Sequence, residues 1–208
     1  MSRLIDNKCK LCRREGMKLF LKGQRCFTEK CAVSRRDYPP GVHAQKRAKV
    51  TEYGVRLREK QKLKRIYGVP ERKFKLYFRE AERLKGNTGE NLMMLLERRL
   101  DNVVLASGFA LSRNHARQLI THGHFRVNER KVDVCSFQVR PGDVISPSTR
   151  EDTRKMVGQA VEVNKSQPVP AWIEVSGDTL TSRVVGIPRR EDVPHPIQEQ
   201  LIIELCSK

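Results

Sequence analysis

Ser112-Arg113-Asn114-His115-Ala116-Arg117-Gln118-Leu119-Ile120-Thr121-His122-Gly123-His124-Phe125-Arg126-Val127-Asn128 contains the change of period that decides the fold. Ala116, Leu119 and Ile120 recur at helical spacing, whereas Phe125 and Val127 alternate with Arg126 and Asn128 as in a strand. Ser112 can cap the helix through its hydroxyl, and Gly123 can end it in the left-handed conformation. Arg113 and Arg117, four residues apart, share the face opposite the apolar one. His122, His124 and Arg126, then Arg130 and Lys131 beyond the next turn, add further donors beside the same corner. Guanidinium and imidazole groups gathered this way suit the phosphates of a folded RNA, which is recognised largely by shape. Taken alone, the segment also fits the solvated face of an ordinary helix.

Downstream, Val132 and Val134, then Phe137 and Val139, continue the alternation. The turn Arg140-Pro141-Gly142-Asp143 leads into Val144-Ile145, so the spacing predicts short antiparallel strands. A polar helix over 148–163, a Pro-containing link, a hairpin across Ser176-Gly177-Asp178 and an amphipathic helix over 197–206 follow. Upstream, Leu92, Leu95, Leu96, Leu100, Val103 and Val104 predict one helix over 90–106. Phe74, Tyr77, Phe78, Ala81 and Leu84 predict another over 71–85. A third stretch, over 54–67, is stopped by Gly68 and Pro70, and a helical stretch is expected to start after His43. The whole reads as α+β.

The 208 residues carry 42 Lys and Arg against 24 Asp and Glu, a net charge of +18. That excess argues against a polycationic substrate and for a polyanionic partner, nucleic acid first and an acidic membrane surface second. It is unevenly spread. Residues 1–85 hold 26 basic and 9 acidic side chains, a net +17, and residues 86–208 hold 16 and 15, a net +1. Phe20, Phe27, Tyr38, Tyr53, Tyr67, Phe74, Tyr77 and Phe78 are interleaved with the charges, which argues for a folded basic unit over a disordered tail. No apolar run approaches the roughly 18 residues that span a bilayer. No apolar stretch follows the start as in a signal peptide, so a cytosolic, reducing compartment is expected.

Cys9-x2-Cys12, then Cys26-x4-Cys31, is the sharpest chemical motif. Four thiolates at this spacing suit one tetrahedral Zn²⁺, and an iron–sulfur cluster uses the same donor set. Lys8, Lys10, Arg13, Arg14, Arg25 and Lys30 favour the ionised thiols and balance a dianionic site. Such a metal would replace the core that so short and basic a segment cannot build. Cys135 and Cys206 fall in apolar patterns and read as small core residues.

The segment 112–128 resembles the RNA-binding module named after the fourth protein of the bacterial small ribosomal subunit. The likeness extends over essentially the whole chain. It includes Tyr53-Gly54-Val55-Arg56-Leu57-Arg58-Glu59-Lys60-Gln61-Lys62, Tyr67-Gly68-Val69-Pro70-Glu71, Thr88-Gly89-Glu90-Asn91-Leu92, Arg99-Leu100-Asp101-Asn102-Val103-Val104 and Pro170-Ala171-Trp172-Ile173-Glu174-Val175. The cysteine-bearing start resembles the metal-binding version of that family. The likeness departs at Asn128-Glu129-Arg130, where members usually carry Asn-Gly, at Cys135-Ser136 for Pro-Ser, and at Cys206 for Tyr.

The resemblance implies an N-terminal metal-binding knot and extension over 1–42 and a helical RNA-binding domain over 43–90, joined by a C-terminal helix within 188–208 that packs back on it. It also implies an α+β domain over 91–187, with an αL-type RNA-binding module at about 99–160. It further implies a primary 16S rRNA-binding protein of the 30S subunit in the cytoplasm. Such a protein seats on a helix junction of the 5′ domain and nucleates assembly of the body. Its neighbours would be the fifth small-subunit protein and the mRNA where it enters. It would contribute to translational accuracy and, in some bacteria, repress its own operon. The candidate metal ligands are Cys9, Cys12, Cys26 and Cys31. The candidate RNA contacts are Arg13, Arg14, Lys22, Arg35, Arg36, His43, Lys46, Arg47, Lys49, Arg56, Lys60, Lys62, Arg65, Arg72, Lys73, Arg113, Arg117, His122, His124, Arg126, Arg130 and Lys131.

The same module is attached to pseudouridine synthases, some of which use the Asp of an Arg-Leu-Asp motif, and Arg99-Leu100-Asp101 is superficially similar. In those enzymes the Asp follows the module, in a large β-rich domain. Here it precedes the basic helix, and Asp101 reads as a helix-surface partner for a nearby Arg. No phosphate-cradling G-x-x-x-x-G-K-[ST] is present, and the His residues pair with no obvious nucleophile. A membrane-surface binder would need a stronger apolar face on its basic helices. Neither an enzyme nor a small-molecule substrate is expected.

Overall fold

A computed structural model describes residues 7–42, 49, 51–177 and 179–207. His43, Lys46 and Arg47 lie outside the described residues, as does the start of the helical stretch expected after His43. The chain divides into two compact units, Met1–Leu92 with His195–Lys208, and Met93–Pro194.

In the first unit, α1 (Lys8–Glu15) leads through a 3-10 turn at Gly23–Cys26 to α2 (Ala32–Arg35). Then come α3 (Glu52–Ile66) and α4 (Glu71–Arg83), which Gly68 and Pro70 separate. Leu63, Ile66, Phe74, Tyr77, Phe78 and Ala81 are buried, each on the apolar stripe of its helix. α5 (Thr88–Glu97) begins in this unit and ends in the second, and the C-terminal α9 (Glu199–Cys206) packs on α3. Gly89 allows that end of the chain to come close, because a Cβ there would lie 2.8 Å from the Glu199 Cβ. The buried Glu59 carboxylate accepts the Gln198 backbone N–H at 3.0 Å, just before α9. Arg56 on α3 donates to Glu204 on α9 at 2.7 Å. Glu15, almost fully buried, is held by Arg65 and by Arg58 and so ties α1 to α3. Burial pushes its carboxyl up, and the two guanidinium groups pull the other way.

In the second unit, α6 (Leu100–Ala106) and α7 (Arg113–Thr121) precede β1 (Phe125–Val127), β2 (Arg130–Lys131) and β3 (Val144–Pro147). After α8 (Glu151–Asn164) come β4 (Ile173–Ser176) and β5 (Thr181–Val184). The sheet has the order β2-β1-β3-β5-β4 with antiparallel pairs throughout. Its core gathers Leu100, Val103, Phe109, Ile120, Phe125, Val139, Ile145, Trp172 and Val184. Asn164 at the end of α8 donates to the Gly108 and Ala110 carbonyls at 2.9 and 3.1 Å, satisfying a turn at the edge of that core.

Two expectations need correction. The single helix expected over 90–106 is broken between α5 and α6, where Arg99 is extended (φ −68°, ψ 137°). The strands expected at Val132–Val134 and Phe137–Val139 do not join the sheet. One set of hydrogen bonds accompanies the helix break and the second of these segments. Leu100 and Asp101 donate their backbone N–H groups to the Phe137 and Cys135 carbonyls at 2.9 and 3.2 Å, and Val139 donates to the Arg98 carbonyl at 2.9 Å. The α5–α6 corner thus takes the hydrogen bonds that a ladder would have used.

The β1–β2 turn keeps left-handed geometry at both central residues, Asn128 (φ 48°) and Glu129 (φ 66°). The Asn128 side chain is fixed by donating to Asp143 (2.8 Å) and accepting the Val144 N–H (2.9 Å). Glu129 bears the steric cost of its Cβ, about 1 kcal/mol or more. Glu129→Gly should therefore stabilise the protein by roughly 0.5–1 kcal/mol in urea unfolding, the gain being reduced by the larger backbone entropy of unfolded Gly.

Candidate nucleic-acid interface and cysteine cluster

Ser112 accepts the His115 N–H and caps α7, and Gly123 (φ 74°) closes it, so the helix begins and ends where the sequence predicts. Ala116, Leu119 and Ile120 are buried. Arg113 and Arg117 project together, but not as simple solvated cations. Arg113 donates through Nε (3.1 Å) and Nη2 (2.8 Å) to the side-chain oxygen of Asn102. Asn102 in turn donates to the Glu97 carboxylate and backbone carbonyl. Arg117 Nε donates to Asp101 Oδ2 at 2.7 Å. Arg99 makes a bidentate fork to the same carboxylate, at 3.0 and 2.7 Å.

Asp101 is not the helix-surface partner expected, since its side chain is 1% exposed. Two guanidinium groups face this buried carboxylate and supply its counter-charge. The Arg-Leu-Asp aspartate is therefore buried in ion pairs, not presented to a substrate.

His122 and His124 stack beyond the helix, with ring centroids 6.1 Å apart. His124 Nδ1 pairs with the Thr153 hydroxyl at 2.9 Å. Burial, the neighbouring His122 and Arg150 push the His124 pKa below its usual 6.5. Arg126 pairs with Lys131 across β1 and β2, and Arg130 is exposed beside them. The Lys131 chain crosses Gly123, where a Cβ would come within 2.2 Å of Lys131 Cε. Gly123 is required for its backbone angle, whereas the flexible end of the Lys131 chain can move aside.

In the first unit, Lys22, Arg35, Arg36, Lys49, Arg72 and Lys73 are exposed, as an RNA surface requires. The remaining candidates are held by acidic neighbours and carbonyls, as Arg113 and Arg117 are. Arg56 pairs with Glu52 and Glu204, Lys60 with Glu71, Lys62 with Glu59, and Arg65 with Glu15. Arg13 donates to the Tyr38 and Pro39 carbonyls and lies 4.8 Å from the Tyr38 ring centroid, and Arg14 donates to Pro40. These two pin α1 to the turn at 38–40.

Cys9, Cys12, Cys26 and Cys31 line one small pocket together with Lys8, Lys22 and Arg25. Lys22 donates its N–H to Cys26 Sγ at 3.4 Å. The backbone N–H of Leu19 serves Cys12, and those of Val33 and Ser34 serve Cys31. Burial pushes the Cys12 and Cys26 thiols up. At Cys31 burial pushes the same way, but the N–H donors outweigh it and the thiol sits low. Four soft donors with N–H support suit a thiophilic metal in kind. Among the described residues, however, no three His, Cys, Asp or Glu side chains form a group placed to hold a metal ion. Cys135 is buried in the core as expected, and Cys206 is only half-buried.

Sequence reasoning missed Arg99 and Asn102 as buried members of the hydrogen-bond network around Arg113 and Arg117, and Arg150 as a cation acting on His124. Arg99-Leu100-Asp101-Asn102 carries a signal in hindsight: polar side chains on a helix otherwise filled by Leu100, Val103 and Val104 must find partners inside.

The helix-capped basic corner and its small sheet define an S4-domain protein. Residues 98–145 match the family model "S4 domain", and residues 3–97 match "Ribosomal protein S4/S9 N-terminal domain". The chain is 56% identical to "Small ribosomal subunit protein uS4" of Thermoanaerobacter pseudethanolicus, 54% to that of Caldicellulosiruptor bescii and 51% to that of Thermodesulfovibrio yellowstonii. Each match covers 100% of both chains. The chain belongs to the uS4 family.

Asp101→Ala leaves the buried Arg99 without its carboxylate, and urea unfolding should show a loss of about 3 kcal/mol or more. His124 should titrate with a midpoint below 6.5 by NMR. Because its folded-state pKa is depressed, the stability linked to it is complete above pH 6.5 and declines as the pH falls below that value.

Proposed function

We propose that this chain is a structural, non-enzymatic constituent of the small ribosomal subunit that binds 16S rRNA directly. The observation that carries this reading is the full-length identity to proteins named small ribosomal subunit protein uS4. The chemistry of attachment agrees with it. Lys and Arg neutralise phosphates and release counterions, and the ordered Arg113 and Arg117 add directed donors. In finer detail, the chain seats on the helix junction of the 5′ domain and nucleates assembly of the 30S body in the cytoplasm. It lies beside the fifth small-subunit protein and the incoming mRNA, and it contributes to decoding accuracy.

Cys9, Cys12, Cys26 and Cys31 would hold one Zn²⁺, with an iron–sulfur cluster as the alternative. The metal's contribution would be structural, closing the loops around the pocket in place of a hydrophobic core. The shared pocket and the N–H donors to sulfur support this assignment.

Filter binding to the 5′ domain of 16S rRNA tests the main reading. Arg117→Ala should weaken binding about tenfold, the worth of one charge-assisted hydrogen bond, and lower the salt slope by about 0.9 if one phosphate contact is lost. An unchanged slope in both Arg113→Ala and Arg117→Ala would remove this face from the interface. Incubation with tritiated-uridine RNA should release no tritium. Elemental analysis of protein prepared without air should find one zinc per chain, lost in the double variant Cys9→Ser, Cys12→Ser.

A further inference from the structure

Phe20 and Phe27 are exposed to 40% and 63%, yet they pack against each other as a tilted pair, with ring centroids 5.0 Å apart and planes 30° from parallel. Their placement is unusual in two ways. Phe20 holds a left-handed backbone (φ 50°), costly for a bulky residue. Neither ring lines the cysteine pocket, although the two residues flank it in sequence, so shielding the thiols does not account for them.

The backbone around the pair is firmly set. Leu19, next to Phe20, is buried, and Cys26, next to Phe27, accepts the Lys22 N–H. Phe27 donates its own N–H to the Gln24 carbonyl at 3.0 Å. The rings are thus presented outward by a fixed loop. That loop also carries Lys22, Arg25 and Lys30, all exposed, against the single acid Glu29.

We propose that Phe20 and Phe27 form a stacking platform for an unpaired nucleobase of the bound RNA. This rests on the RNA-binding reading given above and adds the kind of RNA segment the first unit takes. Exposed aromatic faces bordered by cations match single-stranded or bulged nucleotides, whose free bases stack while their phosphates meet Lys and Arg. A regular RNA duplex offers no free base face to such a pair. A protein partner would also cover the rings, but the local excess of Lys22, Arg25 and Lys30 favours a polyanion.

The test uses the full chain and 16S rRNA, comparing wild type with Phe27→Ala, Phe27→Leu and Phe27→Tyr across a salt series. Melting temperature and metal content serve as folding controls. Phe27→Ala and Phe27→Leu should each bind about 5- to 50-fold more weakly, as expected for loss of one stacked base, with the salt slope unchanged. Phe27→Tyr should bind as wild type. In the complex, a base at the contact should lose its chemical-probing protection only in the Ala and Leu variants. Wild-type affinity in Phe27→Ala or in Phe27→Leu overturns the platform. So does unchanged RNA affinity with lost incorporation into reconstituted subunits, which would assign the rings to a protein neighbour. Failure of the wild-type chain to bind the RNA at all would instead overturn the underlying functional reading.

Discussion

The Asp101 carboxylate is the constraint on which the module depends. A carboxylate kept in the interior must be matched at once, and Arg99 and Arg117 do so from two elements. Arg99 can reach Asp101 only because the chain leaves helical geometry between α5 and α6. The same break frees the backbone N–H groups that capture the 135–139 segment. One buried charge is therefore associated with the kink, the docking of α7 against α6 and the loss of the strand expected at Phe137–Val139. Its neighbour Asn102 extends the arrangement to Arg113 and the buried Glu97.

This changes what the basic face is. An arginine on a bare helix samples many rotamers and loses that freedom on meeting a phosphate. Arg113 and Arg117 are already ordered by Asn102 and Asp101, so less entropy remains to be lost on binding. The second unit, with 15 basic and 12 acidic side chains over 93–194, has only a small charge excess and matches buried acids to its cations. The first unit works differently. Part of its Lys and Arg complement is paired with Glu15, Glu59, Glu71 and Glu204, and the excess of cations over acids supplies a diffuse field.

Much of this was legible in the sequence. The Ser112 cap, the Gly123 stop and the apolar spacing of Ala116, Leu119 and Ile120 are local signals, and local signals survive folding. The stripe on α4 was equally plain. Three things were not legible. The break at Arg99 is set by hydrogen bonds to residues almost forty positions away, which no window around Leu100 contains. The Glu204 partner of Arg56 and the Glu15 partner of Arg65 also come from distant segments, so composition did not show which cations are paired within the fold. Glu129 shows a third case, in which Asn128 and its ties to Asp143 and Val144 hold a turn whose usual glycine is missing.

The most direct test of Asp101 as the group that orders Arg117 is a double-mutant cycle on 16S rRNA affinity, using Asp101→Asn and Arg117→Ala. Asn keeps the shape of the side chain and removes its charge. If Asp101 acts through Arg117, the double variant should bind no worse than Arg117→Ala alone, with a coupling well outside the error of the cycle. Additive losses in a folded double variant would contradict it, and would mean that Arg117 meets the RNA without help from the buried carboxylate.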